Sequence, residues 1–570
     1  MVTLAAGPRI QPLHRIWKRE LGEYPTGPRR AWYLGIVVAV TVVLYYQTYI
    51  AGAVATEILR DYNMSFVYFA TITAIATAFG AIASFAAGIA DRMGRANLVV
   101  GGTVATSLIT LFGVPNAHSS LQFAIAISVV GFIEGIILVA TPALVRDFSP
   151  QVGRAQAMAF WTMGPVLGSL VVSEVSSNTL DSLPRWQDQY VIAGVVGLVI
   201  AVVAFVGLRE LGTEHRNQIV GALDAETEQL IAQQGLTSEQ RSQNPFRQML
   251  KLDIIGSSMG ISLFLLFYYT AVVFLPVFFQ TVQGFTASES NSLLNYLWIS
   301  TALSMVFVGM LSDRLRVRKP FMLVGVIATV AIDSVFFAKV GNGAPSFSSI
   351  ATILTFSGIW SGVVYVPWMA SFTETVERRN PALMATGLGI WGWLLRLVVA
   401  AAVITLPHLV PSVTPLVQDA PEVQATLAQL ETGFPQLAVE VQAHPEIFQQ
   451  LGQYANSADI PNAVLDNAIR TVGTDALTQL QDPAAQAELK TLGGPAAVAV
   501  VQAKADTAAQ WERWILICAL GALAMLPLVF LMAGHWRPQP RTPSVLRAPA
   551  HTMDPPVGAV AVASASSSAL

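Results

Sequence analysis

The chain has a single cysteine among 570 residues, Cys518, which excludes an internal disulfide framework. Charge is scarce as well: Asp, Glu, Lys and Arg make up 12% of the sequence, against about 25% in ordinary soluble domains. The seven histidines are scattered without metal-ligand spacing. There is no Walker-type phosphate loop, so ATP is not the expected driving force. The first 31 residues are polar and basic, without the short apolar core and cleavage site of a signal peptide. Nothing here points to an enzyme, a metal centre or a nucleic-acid partner.

What the chain has in quantity is apolar surface. Hydrophobic residues reach 54%, with a mean hydropathy of +0.56. About 18 apolar residues suffice to cross a bilayer as a helix, and twelve runs qualify: 32–56, 65–90, 97–114, 122–144, 156–175, 190–208, 253–280, 291–311, 320–339, 348–370, 383–406 and 511–534. This predicts an all-α integral membrane protein. If the N-terminus lies inside, 24 of the 32 Lys and Arg residues fall on the cytoplasmic side, seven outside, and Arg396 within a helix. Positive charge concentrates on the cytoplasmic face of membrane proteins, so both termini are expected there.

The chain also repeats itself. Gly88, then Asp91-Arg92, then Gly94-Arg95, follows the second run; Gly309, then Asp313-Arg314, then Arg316, follows the eighth. Val145-Arg-Asp-Phe-Ser-Pro150 with Trp161 has a counterpart in Val376-Glu-Arg-Arg-Asn-Pro381 with Trp391, and each proline is suited to start the helix that follows. Two related six-helix halves are the expected consequence. The parts read as a cytoplasmic N-terminal segment (1–31), a first bundle (32–208), a polar cytoplasmic linker (209–252) with a short surface helix near 223–234, a second bundle (253–406), an outer insert (407–510), a last helix (511–534) and a disordered cytoplasmic tail (535–570). The insert carries eleven acidic residues against Arg470, Lys490 and Lys504. Its stretches 421–432 and 461–480 show helical apolar spacing, so it reads as a helical cap or as an extended loop, and a partner on the outer side is one use for it.

At the two Asp-Arg loops the chain resembles the major facilitator superfamily, whose cytoplasmic signature combines a glycine, an Asp-Arg pair, a second glycine and an arginine. Gly88, Asp91, Arg92, Gly94 and Arg95 match it; in the second copy Gly309, Asp313 and Arg314 match, and Arg316 replaces the second glycine. The resemblance implies the twelve-helix fold of that family, alternating access, and a latch role for these loops. Gly164-Pro165 and Gly168 resemble part of the glycine-proline motif of the family's proton-linked drug exporters, with Ser169 in place of the next glycine.

Two ionisable residues stand out within apolar runs. Glu134 lies near the middle of the fourth, where an acidic side chain costs a few kcal/mol; it suits a group that binds and releases a proton, or one permanently paired. The resembling family often has an arginine three residues earlier, where this chain has Gly131. Arg396 lies in the eleventh run and cannot shed its charge. It is placed either to clamp an anionic substrate through its planar fork or to pair with an acid such as Glu134. Asp333 and Lys339 in the ninth run are expected to pair or to snorkel. Aromatic residues cluster on the first, seventh and tenth runs: Tyr45, Tyr46, Tyr49, Tyr268, Tyr269, Trp360 and Tyr365, to which Gln47 and Trp391 are added as candidate substrate contacts.

The sequence therefore predicts a secondary transporter in a bacterial inner membrane, with no cofactor and a proton gradient as its expected driving force. Uptake of an organic acid or similar metabolite, proton-antiport export of drugs or metabolites, and a non-transporting receptor that uses the outer insert are the three readings it leaves.

Overall fold

The computed structural model describes residues 19–21, 23–83, 94–148, 160–212, 244–341, 345–380, 383–452, 454, 460–473, 478–479 and 482–538. The described chain is almost entirely helical. The first half contains α1 (Gly27–Ala53), α2 (Phe66–Ala83), α3 (Arg95–Leu108, continued by a π turn over Ile109–Gly113), α4 (Ser120–Phe148), α5 (Gly164–Thr179) and α6 (Trp186–Gly207). The second half opens with three short segments, α7 (Leu252–Phe264), α8 (Leu266–Val273) and α9 (Leu275–Gln283), followed by α10 (Ala287–Leu315), α11 (Lys319–Gly341), α12 (Phe347–Arg379) and α13 (Met384–Leu409). Ten helices among the described residues are long and apolar enough to cross a membrane, or eleven if α7 and α8, bent by 40°, form one crossing. The expected fifth crossing is represented by α5, only 16 residues long, with 151–159 outside the described residues.

Local chemistry explains where these helices begin and how they meet. At the start of α10 a capping box closes: the Thr286 hydroxyl accepts from Glu289 N at 3.1 Å, and Glu289 Oε2 accepts from Thr286 N at 2.9 Å. Small residues set a close crossing between α2 and α4. A Cβ on Gly135 of α4 would overlap the Gly80 carbonyl of α2, and one on Gly131 would stand 2.6 Å from the Ala76 carbonyl oxygen. The Gly131-x-x-x-Gly135 stripe thus brings two backbones together, as small residues do between membrane helices.

The described residues of 407–510 are largely helical, with short elements at Val413–Gln418, Ala420–Gly433, Pro435–Ala443, Pro445–Gly452, Asn462–Val472 and Pro483–Leu492. Prolines at or next to several of these starts divide the segment into short pieces. Leu430, Leu437, Ala438, Phe448, Ala468 and Leu489 give it a core of its own. The last helix, expected over 511–534, runs as one element from Pro495 to Leu528. The cause is an alanine-rich stretch that is helical but not apolar enough to read as part of a crossing.

The two bundles touch mainly where α2 meets α13 and α5 meets α10. They share one apolar cluster at the end that carries the insert, where Phe66, Phe69 and Trp186 join Phe274, Phe278, Trp298 and Val413. At the opposite end each has its own: Tyr33, Val40, Leu144 and Phe148 in the first bundle, and Met249, Trp368, Phe372 and Met532 in the second. The molecule is thus joined at the insert end and separate in its cores at the other.

Candidate functional site

Midway along the bundles, α1 and α4 meet α8, α12 and α13. Thr48 of α1 donates to Glu134 Oε2 at 3.1 Å. Because α4 packs on α2 through Gly131 and Gly135, its neighbour Glu134 is turned toward α1. This accounts for Gly131 standing where the resembling family often has arginine: there is no room beside Ala76 for any side chain.

Around Glu134 the structure gathers Tyr45, Tyr49 and Tyr269, all within electrostatic reach of it, together with Arg396 of α13. Tyr268 neighbours Tyr49 and Tyr365. The rings of Tyr45 and Tyr49 lie 5.3 Å apart, and those of Tyr268 and Tyr269 are 5.1 Å apart, edge to face. Each of these residues keeps partial exposure. Arg396 folds back over its own helix, Nη1 lying 3.8 Å from where a Cβ on Gly392 would stand. It forms no ion pair and donates no hydrogen bond among the described residues. An arginine, a carboxyl group and five phenols from two bundles thus share one site. The arginine offers a free fork to an anion, the carboxyl group can carry a proton, and the phenols offer ring faces and hydroxyls to an organic solute.

Other expected contacts lie elsewhere. Gln47 is buried inside the first bundle, its Nε2 donating to Ser107 Oγ at 3.0 Å and to the Ala193 carbonyl at 3.2 Å. Tyr46 is buried too, because Tyr45, Thr48 and Tyr49 take the inner face of α1 while Tyr46, Gln47 and Ile50 face its own bundle. Trp360 is partly exposed, five residues from Tyr365 and so on a different face of α12. Trp391 packs against Trp368 at 5.3 Å between ring centroids, and its buried Nε1 has no partner among the described residues. Among the described residues Asp333 neither pairs nor snorkels, being 1% exposed with both oxygens unpartnered. Gly164 and Gly168 hold α5 close to α1: a Cβ on them would lie 2.6 Å from Thr41 Cγ2 and 2.5 Å from Tyr45 Cβ. Pro165 falls in the first turn of α5. The two glycines seat the tyrosine-bearing stretch of α1.

Of the first Asp-Arg loop, Gly88, Asp91 and Arg92 lie outside the described residues, as do Pro150, Pro381 and the stretch 223–234. Gly94 adopts φ +86°, and Arg95 pairs with Asp147 at 2.8 Å. In the second copy Arg316 takes a left-handed conformation, φ +53°, at the C-terminus of α10. Asp313 pairs with Arg318 at 2.7 Å, Arg314 is exposed, and Gly309 lies against Val366 of α12.

Several contributors carried no sequence signal because their partners are remote. Glu210 Oε2 accepts from the Arg95 and Ala96 amides, 115 and 114 residues away, and caps the N-terminus of α3. A parallel two-residue pairing, β1 (Glu20–Leu21) on β2 (Glu210–Leu211), ties the segment before α1 to the chain leaving α6. At the insert end Ser173 donates to Asn295 Oδ1 at 2.6 Å, Ser288 to the Ser177 carbonyl at 2.7 Å, and Asn291 to the Ala53 carbonyl at 3.0 Å. These bonds join the two bundles.

Comparison with known proteins agrees with this architecture. Residues 37–403 match the sequence profile of the Major Facilitator Superfamily. An MFS-type efflux pump of Mycolicibacterium smegmatis is 26% identical over 319 residues, covering 54% of this chain and 68% of that protein. A bacterial homolog of the human lysosomal transporter Spinster, solved inward-facing and occupied, superposes with a TM-score of 0.56 at 15% identity, covering 88% of this chain and 97% of that one. A D-xylose–proton symporter superposes with a TM-score of 0.51 at 14% identity, covering 66% and 90%. Both superpositions are likenesses of fold.

Proposed function

The chain belongs to the major facilitator superfamily and is a multi-pass membrane transporter, and from that premise we propose that it takes up a small organic anion with protons by alternating access. The observation that carries this reading is that Arg396 from the second bundle, without a partner among the described residues, shares one site with Glu134 from the first. Arg396 binds the anionic group of the solute, the tyrosines enclose its organic part, and Glu134 takes up the proton that moves with it. A charge of each sign, one per bundle, lets cargo and proton bias the same rocking motion.

The positive-inside distribution supports placing the Arg95, Arg318 and Lys319 end in the cytoplasm and the insert outside. In that orientation the bundles are joined on the outer side, as an inward-facing transporter requires. A bacterial inner membrane suits this reading.

Export by proton antiport is the second reading. It draws on the relative named as an efflux pump and on Gly164-Pro165. The two differ in direction, which purified protein in liposomes resolves. Candidate organic acids are first selected by thermal shift. An inward proton gradient then drives their accumulation under the uptake reading and their expulsion under the export reading. A solute flux that ignores the gradient contradicts both.

A further inference from the structure

Asp333 lies on α11, away from the central site, and is 1% exposed. Neither carboxyl oxygen has a hydrogen-bond partner among the described residues. Its carboxyl group acts electrostatically on the Cys518 thiol of the last helix, Pro495–Leu528. On its own helix Lys339 is exposed. The Thr329 hydroxyl and the Trp511 indole N–H are likewise buried and unpartnered, and Phe336, Phe278 and Phe267 form an aromatic wall nearby. A bare carboxylate anion is not sustained in such surroundings.

Polar contacts continue inward from Cys518. Cys518 Sγ lies 3.9 Å from Thr270 Oγ1, which also accepts from Trp514 Nε1 at 2.9 Å. Thr270 sits on α8 next to Tyr269 of the central site, just beyond the bend at Leu265. Movement of α8 during rocking therefore changes the surroundings of Asp333 as well as those of Glu134.

We propose that Asp333 is a second proton-binding site of the transport cycle, loaded in the inward-facing state and unloaded when α8 and the last helix part from α11. The proposal rests on the proton-coupled reading above. It predicts that full-length protein in liposomes moves one proton fewer per solute once Asp333 is replaced by Asn. It also predicts that the infrared band of a protonated carboxyl, present at acid pH and lost on alkalinisation, disappears in Asp333→Asn and shifts in Asp333→Glu. The Glu variant keeps the test open if the Asn variant does not fold. Wild-type protein that moves no protons overturns the transport reading itself. Proton movement with an unchanged number per solute in Asp333→Asn overturns the Asp333 site alone. So does a carboxyl band assigned to Asp333 that never titrates.

Discussion

Glu134 and Arg396 stand on opposite bundles, within electrostatic reach of one another, and are not paired. The glutamate is held by Thr48 at 3.1 Å, while among the described residues the arginine has no partner beyond its own helix. A permanent ion pair at this place would lock the bundles together and leave no group for cargo. An unpaired arginine is instead a vacancy with a sign.

Replacing Arg396 tests that vacancy. A charge-assisted hydrogen bond contributes about 1.5–3 kcal/mol, so Arg396→Gln should weaken anionic ligands by roughly 10- to 100-fold and leave neutral analogues nearly unchanged. Arg396→Lys keeps the charge without the planar fork and should fall between them. Binding measured by calorimetry or thermal shift separates these outcomes; equal losses for anionic and neutral ligands would mean that Arg396 serves packing.

The α2–α4 crossing makes a prediction of sign. Gly135→Ala places a methyl group on the Gly80 carbonyl, and overpacking of that kind costs about 1–3 kcal/mol. Gly101 has nothing within 4 Å, so Gly101→Ala should be neutral or slightly stabilising, since alanine favours helix by about 1 kcal/mol over glycine. Thermal midpoints of the two purified variants should therefore move in different directions, or only the first should move.

Under the alternating-access reading, the bonds at the insert end bias the equilibrium toward closure on that side. Asn295→Ala removes bonds to Ser173 and Ser177 of the other bundle. At about 1 kcal/mol each, their loss should shift the balance toward outward opening by roughly 30-fold. Spin labels at the insert ends of α5 and α10 would report a new, longer distance. An unchanged distance distribution would assign the closure to the apolar cluster alone.

How much of this was legible beforehand depends on distance along the chain. Glu134 and Arg396 announced themselves because a charge inside an apolar run has few explanations. Gln47 did not, because choosing between the two faces of α1 needs the Ser107 and Ala193 partners that only packing supplies. The Glu210 cap on α3 and the β1–β2 pairing join segments far apart in sequence, with no local pattern to mark them. The start of the last helix at Pro495 was hidden by Gln502, Lys504, Asp506 and Gln510, which interrupt the apolar run, since hydropathy marks the lipid boundary and not the helix boundary.

Replacement of Glu134 by Gln keeps the shape of the side chain and its bond to Thr48 but removes the titratable group. The decisive measurement is solute-induced proton movement in liposomes, wild type against Glu134→Gln, with solute exchange recorded in the same preparations. The account predicts that the variant loses proton movement and gradient-driven accumulation while exchange persists. Proton movement at the wild-type level in Glu134→Gln would contradict it.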